Sequence, residues 1–222
     1  MMKQFLFILL ICLACFGIKA QTNDAGLWTG LGIEKKITQT LSINFENSIR
    51  LNENYGKVGI ILHDLRISYN VSNSIRVAAN YRFSKKKRID DFYNSRHRYY
   101  FTMSFKQKMG ALDLTYRTRF QSQYTSFYSS ETGIIPENLF RNKLTIAYST
   151  GKPYKPFIAT EMFYQLNNPI ANEFSKVRYV GGIDYTLNKM NRIRFFYLFQ
   201  KEINAINPLS LYVAGIDYQY TF

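Results

Sequence analysis

The sequence is short of the residues that most often carry chemistry. Its two cysteines, Cys12 and Cys15, both fall in the first twenty residues. Once that stretch is removed, no disulfide, thiolate metal site or thiol nucleophile can form. Histidine occurs only twice, at His63 and His97. A Ser–His–acid hydrolase would need one of them beside a serine. Ser95 is close to His97 in sequence, but neighbouring side chains on an extended chain point to opposite faces. No group of His, Asp or Glu has metal-ligand spacing, and Asp90 with Asp91 reads as a solvated loop. No catalytic residue, metal site or cofactor is therefore expected. Beyond residue 20 no apolar run approaches the roughly 18 residues of a transmembrane helix. Acids are scarce as well: 15 Asp and Glu face 29 Lys and Arg, a formal net charge of +14.

The N-terminal stretch carries an export pattern. Lys3 supplies a positive start, Phe5 to Ile18 is apolar, and "IKA" at Ile18–Ala20 puts a small residue before Gln21. Residues 1–20 are expected to be a removed signal peptide, leaving 21–222 as one domain. The rival reading, lipidation at Cys15, lacks the apolar residue three positions earlier. An exported basic chain rarely meets nucleic acid, so none is expected as a partner.

What the chain has in abundance is aromatics, 18 Tyr and 18 Phe, set in runs of β character. Eleven runs cover 25–37, 40–52, 58–70, 74–84, 96–108, 111–124, 141–150, 157–166, 175–187, 191–201 and 209–222. Each exceeds the ~5–6 residues of an ordinary strand and matches the ~9–11 tilted residues that cross a bilayer. The connectors alternate between short turns ("VSNS" at Val71, "MG" at Met109, "NKM" at Asn188) and longer polar loops ("KKKRIDDFYNS" at Lys85, "NNPIANEF" at Asn167). That alternation is the habit of outer-membrane barrels, with the long loops outside the cell.

The runs have two unlike faces. Tyr99, Phe101, Met103 and Phe105 alternate with Arg98, Tyr100, Thr102, Ser104 and Lys106. Ile75, Val77, Ala79, Tyr81 and Phe83 alternate with Arg76, Asn80 and Arg82. A soluble sandwich would show the same pattern. Strand length, loop alternation, the export pattern and a last run closing on Phe222 favour a closed transmembrane sheet, because lipid satisfies no backbone group. The fold expected is all-β: a closed antiparallel transmembrane β-barrel of 10–12 strands with short periplasmic turns. Eleven runs sit badly with the even count usual in such barrels. Run one lying partly outside the wall, a strand hidden in a loop, or one run split in two would each mend it.

The stretches "LWTGLGIEKKI", "RISYNVSNSIRVAANYRFS", "RHRYYFTMSF", "LTYRTRFQ", "RNKLTIAY" and "GIDYQYTF" resemble an uncharacterised family of bacterial outer-membrane β-barrels, the domain of unknown function two-four-nine-zero. The resemblance spans the chain beyond the export segment. It implies location and fold, and no activity or catalytic residue.

With the greasy faces on lipid, the polar faces line a lumen. Candidate lumen residues are Arg50, Arg82, Arg98, Arg117, Arg119, Arg141, Lys143, Glu161 and Arg178. Crowded like charges destabilise a sheet, so something negative must lie among them. Glu161 and Glu46, the loop acids Asp90, Asp91, Glu131 and Glu137, an anionic solute, or lipopolysaccharide phosphate can supply it. A salt-bridged plug and an anion-favouring constriction are both open. Both histidines fall on the outward register, Trp28 on the inward one. The echo of "GGIDYTL" at Gly181 in "AGIDYQY" at Ala214 is explained by two strands sharing one inside–outside constraint. The expected role is passage or binding of a small anionic solute, or a structural one. An outer-membrane enzyme acting on lipid or surface polymer is the alternative. Expected partners are outer-membrane lipid and lipopolysaccharide, the barrel-assembly machinery through Phe222, and the anionic solute.

Overall fold

The computed structural model describes residues 22–87, 92–125, 136–168, 171–205 and 207–222. The export segment at 1–20 and the loop acids Asp90, Asp91 and Glu131 lie outside the described residues. Among the described residues the regular elements are strands: β1 (Thr22–Lys36), β2 (Leu41–Asn52), β3 (Lys57–Asn70), β4 (Ile75–Lys87), β5 (Tyr93–Met109), β6 (Leu112–Thr125), β7 (Glu137–Tyr148), β8 (Tyr154–Gln165), β9 (Glu173–Thr186), β10 (Asn191–Glu202) and β11 (Leu209–Thr221). Short polar side chains end them. Ser72 accepts from the Ser74 and Ile75 amides at 3.2 and 3.1 Å, and Asn188 accepts from those of Met190 and Asn191, both at 2.9 Å. Gly110 and Gly151 take φ of 60° and 72° in two other turns, a region costly to residues with a Cβ.

The sheet closes on itself, with each strand beside its chain neighbours and β1 beside β11. Ten seams are antiparallel as expected; the closing seam is parallel, from Thr22↔Leu209 to Glu34↔Thr221. That seam accounts for the odd count. An up-and-down sheet of eleven strands begins and ends in the same direction, so the seam that shuts it must be parallel. No strand needs to be hidden, split or left outside. The seam runs to the last residue: the Lys36 amide donates to the Phe222 carbonyl at 3.0 Å, and the Phe222 amide to that of Glu34 at 2.9 Å. A hydrogen-bonded row leaving β5 at Asn94 runs through Lys86, Ile60, Arg50, Trp28, Gly215, Phe196, Gly182, Phe157, Ala147 and Asp113, and re-enters β5 at Lys108. Such stagger implies strands tilted by roughly 35–45°.

The molecule is apolar outside and polar inside. Leu31, Phe101, Ile158 and Tyr197 are more than half exposed, while Asp64 and Glu161 are at most 2 % exposed. A protein in water buries these the other way. Not all of the interior is polar. Trp28, Leu198, Leu211 and Val213 form an apolar cluster on the β1/β10/β11 side, against which Val180 and Phe196 pack.

The echo between β9 and β11 now has a cause. The two strands flank β10, so Gly182 and Gly215 lie either side of Phe196, and Asp184 and Asp217 either side of Arg194. The adjacent Gly181 and Gly182 make a matched test. A Cβ at Gly182 would land on the Phe195 carbonyl oxygen and on the Phe157 ring, whereas one at Gly181 meets nothing within 4 Å. Gly182→Ala should therefore cost about 1–3 kcal/mol by overpacking. Gly181→Ala should be neutral or stabilise by up to ~1 kcal/mol through the unfolded chain. Denaturant midpoints in lipid vesicles check the pair; equal shifts would contradict the inward and outward assignments.

Candidate functional site

The lumen is assembled by register. One row brings Arg117, Lys143, Glu161, Arg178 and Gln200 side by side from β6 to β10. The next, toward the long loops, carries Thr102, Arg119, Arg141 and Phe163. A third holds Asp64, Arg82, Arg98, Gln123 and Glu137. Arg119 thus faces Arg141 directly, and Arg82 faces Arg98, pairings that destabilise a sheet unless something intervenes.

Two carboxylates intervene. Glu161 is shared by three guanidinium groups: Arg117 Nη2 at 2.5 Å and Arg141 Nη2 at 2.8 Å on Oε1, and Arg178 Nη1 at 3.5 Å on Oε2. Arg117 lies on β6 and Glu161 on β8, so their bond spans the lumen side of β7. Asp64 takes Arg82 Nε at 2.7 Å and Asn80 Nδ2 at 2.9 Å, and the Tyr100 hydroxyl donates to it as well.

Several other cations have no carboxylate in contact among the described residues. Arg98 donates to the Gln123 carboxamide, whose nitrogen donates on to Glu137 at 3.0 Å. Arg119 donates to Thr102 Oγ1 at 3.1 Å and lies 4.1 Å over the Tyr100 ring. Arg50 lies 3.8 Å over the ring of Trp28, and its Nε is buried without a hydrogen-bond partner. Lys143 lines a cavity with Arg50 and Arg178. Among the described residues, then, Arg50, Arg98, Arg119 and Lys143 have no carboxylate in contact. Aromatic faces offset part of that deficit, since a desolvated cation over a ring gains about 2 kcal/mol.

All nine residues expected to line the lumen lie on its face, in the half toward the long loops and at mid-height. Of the proposed counter-charges Glu161 is central, Glu137 acts through Gln123, and Glu46 lines the cavities without an ion pair among the described residues. Sequence reasoning singled out neither Asp64 nor Tyr100, Gln121, Gln123 and Gln200. Their inward parity was the signal available. Trp28 does point inward. His63 and His97 face outward: His63 stacks between Phe45 and Phe83 at 6.3 and 6.4 Å and bonds Asn47, and His97 bonds the Tyr81 hydroxyl at 2.7 Å.

Among the described residues, two of the cavities lie within the lumen. One of about 160 Å³ includes Trp28, Arg50, Lys143, Glu161 and Arg178 in its wall. The other, about 230 Å³ toward the short turns, is lined by Arg66, Arg117 and Arg192 among others. They share Glu46, Arg194 and Asp217. At about 30 Å³ per water these hold on the order of five to eight waters each, room for a small ion.

A closed eleven-strand barrel with an apolar wall and an arginine-rich interior is the class of protein these features define. The chain belongs to the family described as "Protein of unknown function (DUF2490)", whose sequence profile matches residues 25–207. Among solved structures it is similar to the β domain of the Bordetella autotransporter Brka, at 11 % identity and a TM-score of 0.49 over 78 % of each chain. It is also similar to outer-membrane-expressed OmpT of Vibrio cholerae, at 13 % identity and a TM-score of 0.39. The in-vitro folded trimer form of that OmpT gives 14 % and 0.39. The chain is covered over 73 % in both cases and spans about half of OmpT, 54 % of its length. No curated protein matches the sequence.

Proposed function

We propose that the protein sits in the outer membrane and takes a small anionic solute into its basic lumen, either holding it or letting it pass slowly. The carrying observation is the set of four cations, Arg50, Arg98, Arg119 and Lys143, enclosed without a contacting carboxylate among the described residues. An enclosed cation is costly unless a negative partner reaches it, and rings of Arg and Lys favour anions in pores. The small cavities argue for a narrow, binding lumen over a wide aqueous channel. The apolar belt outside suits lipid hydrocarbon, and the outward Lys85 beside the long-loop end suits lipopolysaccharide phosphate. The paired, outward-facing Phe222 suits recognition of the last strand by the assembly machinery.

The test is a planar-bilayer recording of refolded protein under a salt gradient, with unfolding midpoints measured in phosphate and in chloride at equal ionic strength. A small conductance reversing toward the anion potential, or a higher midpoint in phosphate, is expected. Arg98→Gln with Arg119→Gln should weaken whichever effect appears. A silent barrel whose midpoint ignores the anion overturns the reading.

A further inference from the structure

The cavity against Trp28 holds two buried donors without acceptors, although Glu46, Glu161 and Asp217 share its wall with Arg50, Lys143, Arg178 and Arg194. Arg50 covers the Trp28 ring at 3.8 Å, and Arg178 lies 5.5 Å from the same ring. Arg50 Nε and Trp28 Nε1 are both buried without a hydrogen-bond partner, and Trp28 is only 8 % exposed. Unpaired buried donors are rare because each forfeits its hydration with nothing in return. Arg178 spends its good hydrogen bonds on the neutral Gln200 carboxamide, at 2.6 and 3.2 Å. Its 3.5 Å approach to Glu161 is to a carboxylate that two other arginines already hold. Lys143, on β7, joins the cavity wall from across the barrel.

From this we infer a specific oxyanion subsite: a compact, multiply charged oxyanion, of phosphate size and charge, held by Arg50, Arg178 and Lys143 with the Trp28 ring as its floor. The inference rests on the anion reading and deepens it by naming the place and the ligand class. The chemistry follows from the donors. A guanidinium fork matches two oxygens of a phosphate or carboxylate group. An ammonium adds a point charge, and stacking on an indole fixes the plane of the Arg50 fork. A space of about 160 Å³ admits such an ion with a water or two. Glu46 and Asp217 across the same cavity repel the ion from the lower half and keep it beside Trp28. Arg194, though in the wall, is engaged bidentately by Asp184 at 2.6 and 2.8 Å and is not counted as a ligand.

Trp28 is the only tryptophan in the sequence, so indole fluorescence reports on this site alone. Folded protein in phosphatidylcholine vesicles is titrated with inorganic phosphate while chloride holds the ionic strength constant. A saturable change in Trp28 emission is expected. Arg50→Gln should weaken the apparent affinity about ten- to a hundredfold, as expected for loss of a charged hydrogen-bond donor. Lys143→Gln should weaken it in the same direction, and serves should Arg50→Gln fail to fold. Arg192→Gln, at the other cavity, should titrate like the parent. A linear response, or saturation unchanged in both Arg50→Gln and Lys143→Gln, overturns the subsite. If that happens while phosphate still raises the unfolding midpoint through Arg98 and Arg119, the subsite fails and the broader anion reading stands. If neither signal appears and the bilayer recording is silent, both fail.

Discussion

Replacing Glu161 by Gln should lower the unfolding free energy by about 3–5 kcal/mol, the expected cost of removing one side of a buried ion pair. The cost arises because the other side does not leave with it. Arg117, Arg141 and Arg178 would keep their charges around a neutral amide, and Arg119 would still face Arg141 across the β6–β7 seam. A carboxamide of the same shape accepts one or two of the same hydrogen bonds, so packing is preserved and the measurement isolates charge. Two comparisons sharpen it. Asp113→Asn, at the short-turn end, breaks the ion pair with Lys155, whose side chain is 32 % exposed; water can solvate the freed ammonium, and about 0–1 kcal/mol is expected. Glu161→Gln combined with Arg141→Gln should recover part of the loss, since one of the three stranded cations is then gone, and the two changes should be non-additive. Denaturant unfolding in vesicles gives all three numbers. Equal shifts for Glu161→Gln and Asp113→Asn would mean that Glu161 does not hold the cluster together.

The strands were legible because the alternation that makes a barrel wall is written locally. The inward list at 98–106 in β5 matches the lumen, and that at 76–82 in β4 does so except that it left out the small, buried Ala78. Ends were less legible. β7 begins at Glu137 rather than 141, because Glu137 and Asn138 hydrogen-bond across to Gln123 and Ser122, polar contacts that no apolar pattern announces. The parallel seam was not legible at all. A strand alternates in the same way whichever direction its neighbour runs, so β1 and β11 carry no mark of their pairing; only the odd count hinted at it. In the lumen, the parity of the charged residues was legible and their partners were not. Which arginine meets which acid depends on stagger around the ring: Arg117 reaches Glu161 from two strands away, and Tyr100 reaches Asp64 likewise. Phe157 and Phe163 in β8 break the rule that apolar side chains face lipid, since both line the lumen and lie under Arg194 and Arg141 at 4.8 and 4.2 Å. Apolar residues at both parities of that run were the trace they left.

Leu65→Arg tests the orientation on which the membrane reading depends. Leu65 sits near the middle of β3, on the outer face and 44 % exposed, between two residues, Asp64 and Arg66, that point into the lumen. If hydrocarbon covers the outer face, an arginine at mid-height there should cost about 2–4 kcal/mol, falling to ~0–1 toward either rim. Ile43, also outward on the neighbouring β2 but nearer the short turns, should tolerate arginine better for that reason. If water covers the face, the same substitution replaces an exposed leucine by a hydrated cation, and stability should stay within about 0.5 kcal/mol. The two environments therefore predict effects well separated in size at one position. The measurement is the unfolding midpoint of Leu65→Arg and Ile43→Arg in vesicles, where the depth dependence is read as the difference between them. A loss at Leu65 exceeding that at Ile43 is what a lipid-embedded barrel requires. Indifference at both positions would return the apolar belt to water and remove the reason for enclosing so many arginines inside.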